Sequence, residues 1–283
     1  MARIFWFRRD LRLADHPALN AAIVAARQES DQRVFAVVSP VDYLDASTLE
    51  PARQESLWQS WRSLNQDLGD AITVLAEPIA GIIALAKEAE VKVVHVSAAY
   101  DTNSVAYMKG ARQQLESAGL TLEVGPGNYA VAPGKVRKPD GSPYRVYTPY
   151  YKGWLLHGWE DPYQPEVANY ARAKALHIGL DSPNYARPLR TIRAGEKYAL
   201  RTLDRFIARG ALFEYSENRN RADLSGTSHL SHALAHGEIH PRTILSKLGN
   251  RDGEIVFAKE IAWREFYADV LWHNPKSLTE YLE

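Results

Sequence analysis

The sequence predicts an α/β fold: a doubly wound, parallel five-stranded sheet followed by an all-helical unit. Up to Gly125, short β-rich apolar runs alternate with helical patterns. The runs are apolar at successive positions, as strands covered on both faces must be. From Arg193 onward the apolar period is helical, with no internal repeat.

The elements follow in order. "IFWF", "VFAVV", "ITVL", "KVVHV" and "LTLEV" read as the five strands. Between them lie helical stretches from Pro17 to Gln28, Glu50 to Leu68, Gly81 to Ala89 and Asn103 to Ala118. Asp15 is the expected N-cap of the first helix, with Pro17 tolerated in its opening turn. After Gly125 the strand pattern stops, and "GPGNYAVAPGKVRKPDGSPYRVYTPYYKGW" and "DSPNYARPLR" carry turn chemistry. The expected division is residues 1–130 for the sheet, 131–192 for a connector and 193–283 for the helical unit.

In the helix from Gly195 to Gly210, Ala199, Leu203, Phe206 and Ile207 share one side, and Lys197, Arg201, Arg205 and Arg209 climb the other. A solvated outer face is the expected reading of that stripe, and a phosphate-facing one the alternative. The helix around "FAKEIAWREFYADVLW" is apolar all round, the mark of a buried helix. Yet Glu260, Trp263, Arg264 and Tyr267 stand at i, i+3, i+4 and i+7 on one face. Burying a carboxylate, an indole, a guanidinium and a phenol is costly without partners, so this face reads as a structural Glu–Arg pair or as the wall of an aromatic ligand pocket.

The 34 basic and 34 acidic side chains cancel, so no polyanionic partner is implied globally, although nine Lys/Arg stand against four Asp/Glu between Arg187 and Arg221. The absence of cysteine excludes disulfides, thiolate nucleophiles and cysteine-ligated metal. Redox chemistry would therefore need a bound cofactor. No apolar run approaches the ~20 residues of a membrane span, and no secretory signal is read at the start, so a cytoplasmic protein is expected. His229, His232, His236 and His240 follow a Gly-Thr-Ser turn at near-helical spacing. They read either as a His-only metal site, a weak pattern without a carboxylate at ligand spacing, or as neighbours of a phosphate pocket at a helix start.

Four segments resemble the photolyase and cryptochrome flavoproteins, and most closely bacterial class I cyclobutane pyrimidine dimer photolyases: "FWFRRDLRLADHPAL", "PYRVYTPYYKGW", "GTSHLSHALAHGEIHPR" and "EIAWREFYADVL". The resemblance implies that the helical unit is the first part of an FAD-binding domain. By motif position it assigns Tyr215, Thr227, Ser228, His229, Leu230, Ser231, Phe257 and Arg264 to FAD, with no metal. Glu260 would hydrogen-bond the damaged bases and Trp263 would stack on them, the pair carrying catalysis; Arg219, Arg264 and Tyr267 would complete the DNA contacts. His229 stands where a basic residue is usual, which makes the charge there pH-dependent.

The chemistry so implied is light-driven electron transfer from reduced FAD to a flipped-out pyrimidine dimer in damaged DNA. Thr48 and Asn103-Ser104 stand where folate-binding members have a histidine and an Asn-Glu pair, so the resemblance supports a deazaflavin antenna over a folate, with an empty site as the alternative. The chain ends about where the family's flavin domain is half complete. A fragment of a longer, monomeric enzyme is therefore expected, with the missing helices lost or on another chain; the alternative is a degenerate, inactive product. The competing readings are a cryptochrome-like photoreceptor without repair activity, a nucleotide-binding module with an unrelated helical appendage, and a His-metal hydrolase.

Overall fold

The computed structural model describes residues 1–43, 50–181 and 193–281. Thr48 lies outside them, as does most of "DSPNYARPLR". The sheet unit runs β1 (Arg3–Trp6), α1 (Pro17–Arg27), β2 (Arg33–Val38), α2 (Pro51–Asp67), β3 (Thr73–Val74), α3 (Pro78–Glu88), β4 (Val93–Ser97), α4 (Thr102–Ser117) and β5 (Thr121–Gly125). Every pairing is parallel, in the order β3-β2-β1-β4-β5. The order in which strands are added reverses between β1 and β4, which opens a crevice at their carboxyl ends.

The two sheet faces explain the unbroken apolar runs. Phe5 and Phe7 point into one core with Leu19, Ile23 and Trp61 from α1 and α2. Ile4 and Trp6 point into the other with Ile82, Leu85 and Leu115 from α3 and α4. Alternate residues of β1 thus serve opposite cores, and neither face is free for a polar side chain.

Next come α5 (Tyr147–His157), which starts in the stretch whose Gly, Pro and Tyr content suggested turns, and β6 (Asn169–Ala171), in the connection after it. β6 is a sixth strand that the sequence does not announce. It pairs with Arg33–Phe35 of β2, below the Val37–Val38 pairing with β3, and so shares the edge opposite β1. Three residues are too few to show alternation. The helical unit comprises α6 (Glu196–Ala208), α7 (Tyr215–Asn218), α8 (Ser231–His236), α9 (Pro241–Leu245) and α10 (Asp252–His273). Its core takes in Tyr150 and Trp154 of α5, Leu203 and Phe206 of α6, Leu230, and Phe257, Ile261 and Phe266 of α10.

A buried polar seam joins the two units at the loop after β1. Asp15 is not the N-cap of α1; His16 is, its Nδ1 accepting from Leu19 N at 3.3 Å. Asp15, at φ 49°, aims its carboxylate away from the helix. It accepts from Arg242 Nη2 at 2.6 Å, Tyr163 N at 3.0 Å and Thr243 Oγ1 at 3.3 Å. Arg12, also buried, donates to Asn128 Oδ1 at 2.6 Å and Gly237 O at 3.0 Å. Glu196 accepts from Leu13 N and Ala14 N, each at 2.8 Å. Gly237 closes α8 at φ 67°, and a Cβ there would stand 2.1 Å from Arg9 O, so both the conformation and the close approach require glycine.

His240 belongs to the same seam. It caps α9, its Nδ1 accepting from Arg242 N at 3.2 Å, and its Nε2 lies 3.3 Å from Gly127 O. Burial pushes its pKa down to about 4. Between pH 6.5 and 4 the unfolded chain therefore binds a proton that the folded chain does not, so stability falls as pH falls through that window and is fully present above it. A loss on the order of 3 kcal/mol is expected. Urea midpoints at pH 7 and 4.5 should converge in His240→Asn, which keeps a capping acceptor but cannot titrate; an unchanged pH dependence would assign the loss to other groups.

Candidate functional site

α10 organises the site. Glu254 starts it by accepting from Arg251 N at 3.0 Å, and Asp252 and Glu254 place negative charge in its first turn. One side is sunk into the helical core through Phe257, Ile261, Glu265, Phe266 and Asp269. The two buried carboxylates grip the chain that leaves the sheet. Glu265 accepts from Ala130 N, from Val131 N at 3.1 Å and from Trp154 Nε1 at 2.6 Å; Asp269 accepts from Gly134 N at 2.6 Å.

The other side carries Glu260, Trp263 and Tyr267, as their spacing predicts, with Tyr267 64 % exposed. Glu260 is ion-paired with Arg219, whose guanidinium lies 5.8 Å from the Tyr215 ring centroid. Tyr215 meets Phe257 edge-on at 5.1 Å, and burial raises the Tyr215 pKa. Trp263 stacks on Tyr147 of α5 at 3.6 Å with 7° between the planes, and has Tyr267 at 5.5 Å and 25°. Arg219, Glu260, Trp263 and Tyr267 thus form one aromatic and charged surface from the end of α7 along α10, with Tyr215 and Phe257 buried beneath it.

Arg264 turns elsewhere. Its Nη1 donates to Asn128 O at 2.8 Å and its guanidinium covers Tyr129 at 4.5 Å. There it lines the crevice at the ends of β1 and β4, a space of about 210 Å³, with Arg8, Arg9, Tyr100 and Asp101. The i+4 spacing that grouped it with Glu260 did not fix where so long a side chain would point.

The Gly-Thr-Ser loop is built differently from the expected turn feeding a helix. Gly226 backs onto α7, where a Cβ would lie 2.5 Å from Asn218 O. Arg209 ties the loop to α6 through Ser225 Oγ at 2.9 Å and Thr227 O at 3.1 Å. Ser228 Oγ accepts from Leu230 N at 3.4 Å, and His229 is held at φ 55°, a conformation costly for a residue with a Cβ. The helix that follows has six residues and no side-chain N-cap, so little macrodipole aims at this loop.

Leu230 is buried in the same core as Tyr215 and Phe257. His229, Leu230 and Ser231 also line a cavity of about 650 Å³ between α2, α6 and α8, together with Arg9, Arg53 and Arg193. Thr227, Ser228, Tyr215, Phe257, Glu260 and Trp263 are not among its walls. Leu230 and its core neighbours join the loop to the α10 surface, while the cavity sits on the α2 and α6 side.

The four histidines do not gather. His232 Nε2 lies 2.8 Å from Ser56 Oγ, its ring is 4.4 Å from that of His236, and His240 belongs to the seam. Among the described residues no group of three or more His, Asp or Glu is arranged to hold a metal ion. Glu265, Asp269, Tyr129 and Tyr147 were missed. A carboxylate inside an apolar helical face was the available signal for Glu265 and Asp269; the two tyrosines had none without their distant partners.

A family model described as DNA photolyase matches residues 3–177. The chain belongs to the DNA photolyase family. It is 31% identical over 302 residues to a deoxyribodipyrimidine photo-lyase of Agrobacterium fabrum, covering 96% of this chain and 60% of that protein. It is 29% identical over 306 residues to one of Halobacterium salinarum, covering 98% and 63%. The chain therefore spans about three-fifths of the length of these photolyase relatives. Its fold is similar to a bacterial class III photolyase from Agrobacterium tumefaciens, at TM-score 0.78 and 28% identity over 97% of this chain and 60% of that one. A Synechocystis cryptochrome, at TM-score 0.81 and 21% identity over 99% and 63%, shares the fold. The likeness includes a class III member, so these comparisons place the chain in the photolyase family without assigning class I.

Proposed function

We propose that this chain carries the lesion-binding face of a light-dependent DNA repair lyase that splits cyclobutane pyrimidine dimers. The observation that carries the reading is the surface of α10: a helix otherwise sunk in the core spends one side on Glu260, Trp263 and Tyr267 beside Arg219. An indole that already accepts a parallel ring at 3.6 Å is suited to a planar base, and a carboxylate less than one turn away is suited to the N–H edge of a pyrimidine. Repair makes use of both; a light sensor of the same fold requires neither.

The residues present fit a dinucleotide cofactor in part. His229 and Ser231, on a cavity with three arginines, suit a diphosphate, and the buried Tyr215–Phe257 pair offers a ring wall. FAD would then be held by Tyr215, Thr227, Ser228, His229, Leu230, Ser231 and Phe257. Arg264, turned toward Asn128, would have to swing to join them or DNA. Reduced FAD, when bound, supplies the photoexcited electron. The chain's own part is to extrude the dimer, stack it on Trp263, orient it with Glu260 and exclude water.

The crevice at the strand ends, about 210 Å³, is below the usual ~300 to 1,000 Å³ of small-molecule pockets, so it lends a deazaflavin antenna no support. The division at residues 130 and 192, the monomeric state and a cytoplasmic location belong to the same proposal. Among the described residues no helix is long and apolar enough to cross a membrane.

The test is binding of a dimer-containing oligonucleotide against its undamaged twin. Trp263→Ala is expected to lower the preference about 5- to 100-fold, the value of one base stacked on an aromatic ring. Glu260→Ala should lower it by a further factor of about ten, and the preference should be independent of salt. A preference unchanged in the double variant would overturn the reading.

A further inference from the structure

Trp263 is only partly buried, yet its ring is held on two sides. Tyr147 covers one face at 3.6 Å with 7° between the planes, and Phe266 meets both rings edge-on, 5.8 Å from Tyr147 and 5.7 Å from Trp263. The Tyr147 hydroxyl donates to Lys259 O at 2.8 Å. Lys259 stands four residues before Trp263 in α10, so that carbonyl is the one a helix pairs with the Trp263 N–H. A single tyrosine therefore holds both the indole and the turn of backbone that carries it.

Tyr147 is itself anchored. It opens α5, where Pro149 restricts the first turn, and Tyr151 one turn later stacks beside it at 5.9 Å and 22°. Tyr150 and Trp154 sink the same helix into the helical core. The hold on Trp263 thus comes from a second element and is as rigid as the docking of α5 on α10. A half-exposed indole without such a hold has two rotatable bonds to sample, and it loses that freedom when a base stacks on it. With the hold, that loss is already met in the free protein.

We propose that Tyr147 is a positioning residue for lesion binding: it fixes the plane of Trp263 and leaves the opposite face of the indole to the base. This inference rests on the repair reading of the α10 surface. It differs from plain packing, which predicts a loss of stability with the lesion preference unchanged. It also differs in sign from a tyrosine that occupies the lesion's own place, whose removal would raise the preference.

Two measurements test it, both made below the melting temperature of each variant. In the chain labelled with fluorotryptophan, the Trp263 signal, assigned through Trp263→Phe, should be a single narrow fluorine resonance. Tyr147→Leu and Tyr147→Met, which fill the space without a ring, should broaden or split it; Tyr147→Phe should leave it narrow. Preference for a dimer-containing oligonucleotide over its undamaged twin should fall about 2- to 10-fold in the leucine and methionine variants, the cost of immobilising one side chain on binding, and return in Tyr147→Phe. A narrow signal in both ring-less variants would overturn the proposal, as would a preference that phenylalanine does not restore or one that rises when the ring is removed. Equal binding of the two oligonucleotides by the parent, with the fluorine signal responding as stated, would strike the repair reading and not the hold on the indole.

Discussion

Glu265→Ala is expected to lower stability by about 3 to 6 kcal/mol and the melting temperature by on the order of ten degrees. The carboxylate is 0 % exposed and accepts from Ala130 N, Val131 N and Trp154 Nε1. Alanine leaves all three donors without a partner, at about 1 to 3 kcal/mol each, and opens a cavity besides. Glu265→Gln keeps one acceptor and should cost less. Calorimetry gives the melting temperature, and near-ultraviolet circular dichroism should report the altered surroundings of Trp154. A melting temperature within about two degrees of the parent would show that the three donors find other partners.

Asp15→Ala should cost about 3 to 5 kcal/mol, because it strands the Arg242 guanidinium, 6 % exposed, inside the seam between the units. The magnitude separates two readings. Loss of a helix N-cap, the role suggested by the sequence, costs about 1 kcal/mol. In a double-mutant cycle, Arg242→Leu on the Asp15→Ala background should recover part of the loss, since it removes the stranded charge. Additive losses in the two single variants would mean that the pair does not couple.

The inner strands were legible because covering both faces leaves them mostly apolar, so "IFWF" and "VFAVV" stand out as unbroken runs. α5 was not legible: Pro149 in its first turn and Gly153 further on favour a turn, and only burial of Tyr150 and Trp154 against α10 makes the segment helical. Of the candidate site, Glu260, Trp263 and Tyr267 could be grouped from helical spacing alone. Tyr147, which covers Trp263, comes from more than a hundred residues upstream, and nothing local marks it. The start of α1 offered two polar residues side by side, and the choice between Asp15 and His16 was made by Arg242, far away in the chain.

That distance has a consequence for biogenesis. Arg12 and Asp15 leave a ribosome well before their partners Gly237 and Arg242, which come 225 and 227 positions later. At about 5 to 20 residues per second the early turn waits roughly 10 to 45 seconds, its charges in water, before the contacts that bury it exist. A nascent chain with residues up to about 180 outside the ribosome should hold a complete but unlocked sheet, open to protease at Arg8–Arg12.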